Sequence, residues 1–482
     1  MKKTRLVLVL LSFVLILSIL PSPAIAQTSI DCDTNAYVQA ILSQTTEQSV
    51  AQWIRDLSGE NTVAIGGVDH LIKTRYTSEL FNDFNSNARA YPYLTQELVG
   101  YGYVPGVTLD DHSYAFKTYS PKNLDRTIPD PAPVEIQMVA AKNLIVTIPG
   151  HGPNANQQVL MTAHLDSTTN YDGDPRTDAP GAEDNASGVS ALMEAARLFR
   201  FYKFDRTIKI IFFSGEEQGL HGSEAYVADF ASEMSNILGV VNLDMFGYDN
   251  DKDMCMELHV GLLPASNTVG SCFTSVIDSY NLGVNVDYIL SGAIWASDHA
   301  SFWEAGVGAV EVLENFDTHS NTFGCEGRRD RNPNYHKRSD KIDKMYLPAT
   351  HRIAQAGIAT VASMAGPMGK CFATDPRLTA TPQEDSISLT WPAIQDAEVY
   401  RIYRGKETCN GEMPLLAEVT TNSYVDSDID FDQYYFYTIQ VVEQDGVCFS
   451  PVSNCAVSRV PKPEEPPTYF YQFLPLTVST LE

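Results

Sequence analysis

The sequence is poor in positive charge. Its 482 residues include 33 Lys and Arg against 60 Asp and Glu, which gives a formal net charge of -27 at pH 7. Such an acidic surface disfavours binding to nucleic acid and to anionic membranes. A solvated acidic exterior explains this charge most simply, and it is also compatible with substrates that carry a free ammonium group.

The sequence also lacks long apolar runs after its first 26 residues. Lys2, Lys3 and Arg5 precede an apolar run over residues 6–20, and the small residues 24–26 follow it. This pattern is typical of a secretory signal peptide, so we expect residues 1–26 to be removed and Gln27 to begin the mature chain. No later stretch is long and apolar enough to cross a bilayer. We therefore expect a secreted protein without a transmembrane segment.

The number of cysteines is even, so none need remain unpaired. All eight cysteines lie after the signal peptide, and an even number in an exported protein favours disulfides over thiolate metal ligands. The sequence does not determine how they pair. The pairings we expect are Cys255 with Cys272, Cys32 with Cys325, and Cys371 and Cys409 with partners among Cys448 and Cys455.

The length predicts more than one domain, and we find no internal repeat. Short runs rich in Val, Ile and Phe at 143–148, 159–164, 207–214, 237–245 and 307–313 indicate strands, and residues 189–199 place their apolar side chains on one helical face. Strands that alternate with helices predict an α/β fold with a mostly parallel mixed sheet covered by helices on both sides. We expect this domain over 27–368, with 27–135 as a mostly helical N-terminal part.

The pattern changes after Gly366. Residues 387–391 and 435–441 alternate between apolar and polar positions, and together with the run from Tyr400 they resemble a fibronectin type III β-sandwich. We expect this all-β domain over 369–460. Residues 461–482 would form a Pro-rich linker and a short apolar tail.

Candidate metal ligands lie where predicted strands end. His164 closes one strand, Glu216 and Glu217 follow another, and Asp244 ends a third, while Asp184 stands before a helix. Open α/β sheets place their sites beyond the carboxyl ends of the strands. Imidazole and carboxylate groups gathered there suit metal-assisted hydrolysis.

Each candidate also has an ordinary structural explanation. Asp184 precedes a helix, where capping is the commoner role of Asp. Glu216 and Glu217 follow an apolar strand, where two carboxylates are costly unless a positive group receives them. His336 lies in a polar segment, and His319 is its main rival for the same role.

Asp166 is placed two residues after His164, so both side chains are expected on one side of the strand end. There Asp166 would accept the imidazole N–H that faces away from a metal, which fixes the tautomer and raises the basicity of the ligand.

Taken in order, the motifs AHLDS, PGAEDNASG, SGEEQGLHGS, NLDMFG, SDHASF and NYH resemble those of the secreted di-zinc aminopeptidases, a family of zinc-dependent exopeptidases. The resemblance covers about residues 35–365. It implies two Zn²⁺ ions, one held by His164 and Asp244 and the other by Glu217 and His336, with Asp184 bridging both.

The same resemblance implies the reaction. Glu216 would be the general base that activates a zinc-bridged water, and Tyr335 would hydrogen-bond the tetrahedral intermediate. The substrates would be peptides with a free N-terminus, whose ammonium group the surrounding carboxylates receive. We expect a monomer.

Other functions stay open. The same scaffold supports glutaminyl cyclisation with one zinc, and a carboxypeptidase or dipeptidase is a further alternative. The chain could also be a non-catalytic surface-binding protein, in which the C-terminal domain contacts a cell surface or a polymer.

Overall fold

The computed structural model describes residues 30–77, 87–119, 136–316, 325, 330–372, 374–395, 397–409, 413–443 and 448–463. The expected signal peptide 1–26, most of the tail 461–482 and His319 lie outside these residues. Within the described part of the chain, no helix is long and apolar enough to span a bilayer.

The N-terminal part contains three helices and one hairpin. These are α1 (Ala36–Leu42), α2 (Glu47–Leu57), β1 (Thr62–Ile65), β2 (Val68–Leu71) and α3 (Asn87–Gly100). Helix α2 begins with a capping box, in which the side chains of Thr46 and Ser49 each accept the other's backbone N–H. Its apolar face, including Trp53 and Ile54, is buried. Three helices lie within the part predicted to be mostly helical, 27–135, but this part also contains the hairpin and a long strand at Leu109–Tyr119, which were not predicted.

The main sheet has eight strands. They are β3 (Leu109–Tyr119), β4 (Ile136–Ile148), β5 (Gln158–His164), β7 (Thr207–Phe213), β8 (Ile237–Leu243), β9 (Cys255–His259), β10 (Asn285–Ile289) and β11 (Ala309–Glu314), while the short strand β6 (Tyr202–Phe204) lies outside this sheet. Their order is β10-β9-β11-β8-β5-β7-β4-β3. Pairing is parallel through the centre, from β7 to β5, β8 and β11, and antiparallel at β3–β4, β4–β7 and β9–β11.

Helices cover both faces of this sheet. They are α4 (Ala186–Phe199), α5 (His221–Asp229), α6 (Pro264–Ser279), α7 (His299–Glu304) and α8 (Leu347–Ala365). Helices α4, α6 and α8 pack on one face with the larger apolar core, and α5 and α7 pack on the other. The predicted fold class, a mixed and largely parallel sheet between helices, is confirmed, and so are the five strands expected from apolar runs.

The C-terminal part is all β. Strand β12 (Pro367–Lys370) pairs with β6, and two antiparallel sheets follow. Their strands are β13 (Thr379–Pro382), β14 (Ile387–Thr390), β15 (Val399–Gly405), β16 (Leu415–Val419), β17 (Ser423–Asp426), β18 (Tyr435–Val442) and β19 (Ala456–Ser458). They share one apolar core that includes Trp391, Tyr400 and Tyr437. The fibronectin type III assignment stays a prediction.

All eight cysteines form disulfides. The pairs are Cys32–Cys272, Cys255–Cys325, Cys371–Cys448 and Cys409–Cys455. The two C-terminal pairs agree with the partners expected from sequence, whereas the expected pairs Cys255–Cys272 and Cys32–Cys325 are wrong. The reason is tertiary: the N-terminal segment packs at the end of α6, where Asn35 N donates to Tyr280 Oη at 2.9 Å, which brings together cysteines 240 residues apart.

Candidate metal centre

Two strand ends and one helix start form the first half of the site. His164 is the last residue of β5 and Asp244 directly follows β8, and the parallel register of these neighbouring strands places them at one level. His164 Nε2 lies 3.1 Å from Asp244 Oδ1 and 3.2 Å from Asp184 Oδ1. The N-cap of α4 is Asn185, whose side chain accepts the Gly188 N–H at 2.8 Å. Capping is therefore not the role of Asp184.

The second half of the site shares Asp184 with the first. His336 Nε2 lies 3.1 Å from Asp184 Oδ2 and 3.0 Å from Glu217 Oε2. The structure thus brings together all five residues predicted as ligands, in two groups of three that could each hold a metal ion. The rival His319 lies outside the described residues.

The donor atoms fit zinc. Ligand atoms at about 2.0–2.1 Å around a tetrahedral zinc are about 3.3 Å from each other, which is close to the 3.0–3.2 Å found between the histidine nitrogens and the carboxylates. His164 Nδ1 lies 3.0 Å from the backbone oxygen of Asp166, to which it donates. When Nε2 carries no proton, its lone pair faces two carboxylates, an arrangement that a cation stabilises.

The electrostatics of the site also favour positive charge. Burial alone would lower the pKa of His336, but the carboxylates of Glu217 and Asp184 outweigh it and raise the pKa to about 11. Burial likewise lowers the pKa of His164, while Asp244 and Glu216 lead the groups that bring it well above its ordinary value. Carboxylates that hold a proton this firmly on both rings would attract a divalent cation in its place.

The carboxylate of Asp166 hydrogen-bonds to the loop between β7 and α5 and not to the imidazole of His164. Its carboxylate Oδ1 is 3.7 Å from His164 Nδ1, because its own backbone carbonyl takes the hydrogen-bonding position. The carboxylate instead accepts the backbone N–H groups of Glu216 at 3.3 Å and Glu217 at 3.2 Å. Asp166 therefore fixes the position of both glutamates relative to His164.

Glu216 lies beside the ligands without bonding to them directly. Its Oε2 is 4.0 Å from His164 Nε2, and both residues line a cavity of about 370 Å³. Burial raises the pKa of Glu216 well above its usual range, against the opposing effect of His164. Tyr335 lines the same cavity and stacks on His336 at 3.7 Å between ring centroids. Burial also raises the pKa of Tyr335, so its hydroxyl remains protonated and able to donate.

Sequence reasoning missed the residues that hold the ligand loops. Arg75 is fully buried, and its guanidinium donates to the carbonyls of Leu57, Leu165, Pro180 and Gly181 at 2.7–2.8 Å. Leu165 follows His164, and Gly181 precedes Asp184 by three residues. A lone Arg in the run from 71 to 77 carries no pattern that would have revealed this role.

Two further supports contact the ligand segments. Ser297 Oγ donates to Asp244 Oδ2 at 2.6 Å, and the carboxylate of Asp340 accepts the backbone N–H groups of Glu183 at 3.0 Å and Asp184 at 3.1 Å. Ser297 is the first residue of the SDHASF motif, so its place in that motif is the signal that could have revealed it.

Residues 143–361, which contain all five predicted ligands, match Peptidase family M28. The α/β domain of the chain belongs to this family. The match confirms the resemblance drawn from the motifs and, with it, the enzyme class, a peptidase.

Relatives whose names state a function agree with this class. A probable zinc metalloprotease of Phaeosphaeria nodorum (strain SN15) is 33% identical over 351 residues, which are 64% of this chain and 66% of that protein. Aminopeptidase YwaD of Bacillus subtilis (strain 168) is 32% identical over 43% of this chain and 40% of its own. Leucine aminopeptidase 1 of Trichophyton equinum is 32% identical over a segment that makes up 36% of this chain and 47% of that protein. The matched segment thus spans less than half of the last two relatives.

One solved structure shows the same fold. The aminopeptidase from Aneurinibacillus sp. strain AM-1 aligns with a TM-score of 0.50 at 18% identity, over 69% of this chain and 97% of that one. At this identity the likeness concerns the fold alone.

Proposed function

We propose that the chain is a secreted aminopeptidase that removes the N-terminal residue from peptides, with two zinc ions and with Glu216 as general base. The observation that carries this proposal is the position of Asp184, whose two carboxylate oxygens face His164 and His336 respectively. One carboxylate placed between two histidine groups is the arrangement expected of a pair of metal ions rather than of one.

The ligand assignment follows the distances. His164 and Asp244 would hold one zinc, Glu217 and His336 would hold the other, and Asp184 would contribute one oxygen to each. When bound, zinc supplies a Lewis acid for the scissile carbonyl and lowers the pKa of the attacking water.

Glu216 would carry the proton. Its carboxylate lies inside the cavity but not within hydrogen-bonding distance of His164, so its oxygens can reach a water near the ligands. The carboxylate would take a proton from the attacking water and deliver it to the leaving amine. Burial raises the pKa of Glu216, which makes its carboxylate a stronger proton acceptor and supports this role.

Tyr335 would stabilise the charge that develops on the carbonyl oxygen. Its protonated hydroxyl group belongs to a ring that lines the cavity and is held against His336 by stacking. A fixed donor aimed at developing negative charge lowers the barrier more than it strengthens substrate binding.

The dimensions and charge of the cavity support cleavage at a free N-terminus. A volume of about 370 Å³ is near the lower end for ligand pockets and suits one or two residues rather than a long chain. Its wall carries several carboxylates, and none of the described residues that line it is Lys or Arg. An α-ammonium group would therefore be bound there, with Asp244 as a candidate partner.

The rest of the chain fits an exported enzyme. Four disulfides support an oxidising, extracellular location. We place the peptidase domain at 27–368 and an accessory fibronectin type III module at 369–460, and we expect the mature protein to be a monomer.

The test uses free and N-acetylated aminoacyl anilides with the mature protein. The wild type should hydrolyse the free substrates only. Glu216→Gln should keep its zinc yet lose about 10²–10⁴ in kcat with little change in KM. The matched control Glu224→Gln removes an exposed carboxylate of α5 and should change neither constant.

Three results would contradict parts of the proposal. A normal rate for Glu216→Gln would mean that another group is the base. Equal cleavage of N-acetylated substrates would exclude an aminopeptidase. Conversion of N-terminal Gln to a cyclic product without release of amino acid would favour the cyclase.

A further inference from the structure

A carboxylate that the proposed mechanism does not use lies in the wall of the same cavity. Glu311 belongs to β11, is 1% exposed, and lines the cavity together with Leu313 and Ile294. Its Oε2 has no hydrogen-bond partner among the described residues. A buried carboxylate without a partner is costly, so its presence beside a substrate cavity calls for a ligand that pairs with it.

The register of the sheet gives the depth of Glu311 in the cavity. Strand β11 pairs with β8 so that Glu311 is level with Asn242, two residues before Asp244, while Leu313 follows at the level of Asp244. Glu311 therefore lies one step of about 6.6 Å below the metal ligands on the same sheet face. The side chain of lysine spans about 6 Å from Cα to Nζ on its four-carbon stem. The level of Glu311 thus matches the end of a long side chain rather than the α-ammonium group.

Among the described residues, no charged side chain forms an ion pair with this carboxylate. His299 Nε2 lies 3.4 Å from Glu311 Oε2, but it donates its proton to the carbonyl of Ile294 at 3.0 Å. Burial lowers the pKa of His299 to about 3, so the ring is uncharged. After burial, the groups that most affect the pKa of Glu311 are the acidic Asp244 and Glu257, and His164 opposes them with a smaller effect. Burial raises the pKa of Glu311 itself, so a cationic partner is what would restore its charge.

We propose that Glu311 makes the enzyme select peptides whose first residue is Lys or Arg. The inference rests on the proposed aminopeptidase function, because it assigns the side chain of the N-terminal residue to the deeper part of the catalytic cavity. The methylene groups of that side chain would pack on Leu313, Ile294 and Met245. Its ammonium or guanidinium group would donate charge-assisted hydrogen bonds to Glu311.

Anilides of lysine, arginine and norleucine test the proposal, since norleucine has the lysine stem without its charge. The wild type should prefer lysine to norleucine by at least about tenfold in kcat/KM. Glu311→Gln should lower kcat/KM for lysine by about 10- to 100-fold and leave norleucine within about threefold. The control Glu304→Gln removes an exposed carboxylate of α7, with the same change in net charge, and should leave the ratio unchanged.

Folding and metal content are checked by the melting temperature and the zinc content of each variant, and Glu311→Met provides a second replacement. Should both replacements fail to fold, product inhibition of the wild type replaces them: free lysine should inhibit about tenfold more strongly than free norleucine.

The outcomes separate the two proposals. An unchanged lysine-to-norleucine ratio in Glu311→Gln, a wild type that prefers norleucine, or equal product inhibition would overturn the inference and leave the aminopeptidase function standing. Failure to hydrolyse any free aminoacyl anilide would overturn the proposed function and this inference with it.

Discussion

Replacement of Arg75 by Met tests the claim that one buried side chain holds both ligand loops in place. The guanidinium donates to four backbone carbonyls, and burial lowers the pKa of Arg75 only to about 10, so the group is charged at neutral pH. Met has a similar stem and no donors. It would leave buried carbonyls of the segments that follow His164 and precede Asp184 without partners.

The magnitude follows from those four bonds. A hydrogen bond to a charged group contributes about 1.5–3 kcal/mol, but the buried guanidinium also loses hydration, which offsets part of the sum. We expect a loss of about 3–5 kcal/mol in the free energy of unfolding. Because the loops at Leu165 and Gly181 loosen, zinc should also be lost more readily to a chelator.

The assay is urea unfolding of the zinc-loaded protein, followed by zinc counting after dialysis against EDTA. Arg89→Met is the matched control, since Arg89 is partly buried and donates to one carbonyl, that of Leu71. It should cost about 1 kcal/mol and keep the zinc. Equal destabilisation by the two replacements, with zinc retained in both, would refute the role assigned to Arg75.

Two further predictions concern histidines. His336→Ala should lower the zinc content by about one ion per chain and abolish hydrolysis, whereas His319→Ala should leave both unchanged; the reverse result, read by elemental analysis, would transfer the ligand role to His319. Because burial lowers the pKa of His299 to about 3, the unfolded chain binds a proton between about pH 6.5 and 3 that the folded chain does not. This residue therefore makes the free energy of unfolding fall as the pH falls through that window, by up to about 1.4 kcal/mol per pH unit. His299→Gln should flatten the decline measured by urea unfolding at pH 6.5 and 5, and an identical decline in both proteins would contradict the pKa.

The strands that carry the ligands could be predicted because their residues are apolar on both faces. The runs that end at His164 and precede Asp244 are buried at every position but one in each strand, as expected of parallel central strands. Strand β9 could not be found in this way, because it contains Glu257 and His259. Their side chains pair at 2.9 Å inside the protein, and such pairing is visible only once the fold is known.

The contacts around the metal centre were less predictable than its residues. The spacing in the sequence predicted that Asp166 lies beside His164. The backbone conformation after His164 determines that the carbonyl of Asp166, and not its carboxylate, accepts the imidazole N–H. Arg75 shows the same limit, since its four partners lie 18 to 106 residues away. The incorrect pairing of Cys32 has this cause too: contacts between distant segments leave no local pattern.

Zinc counting in the purified mature protein tests the central claim most directly. The two groups of ligands that share Asp184 predict two zinc ions per chain, loss of hydrolysis when both are removed by a chelator, and recovery when two equivalents are returned. A chain that binds a single ion at saturation, or that continues to cleave after complete removal of metal, would contradict the account.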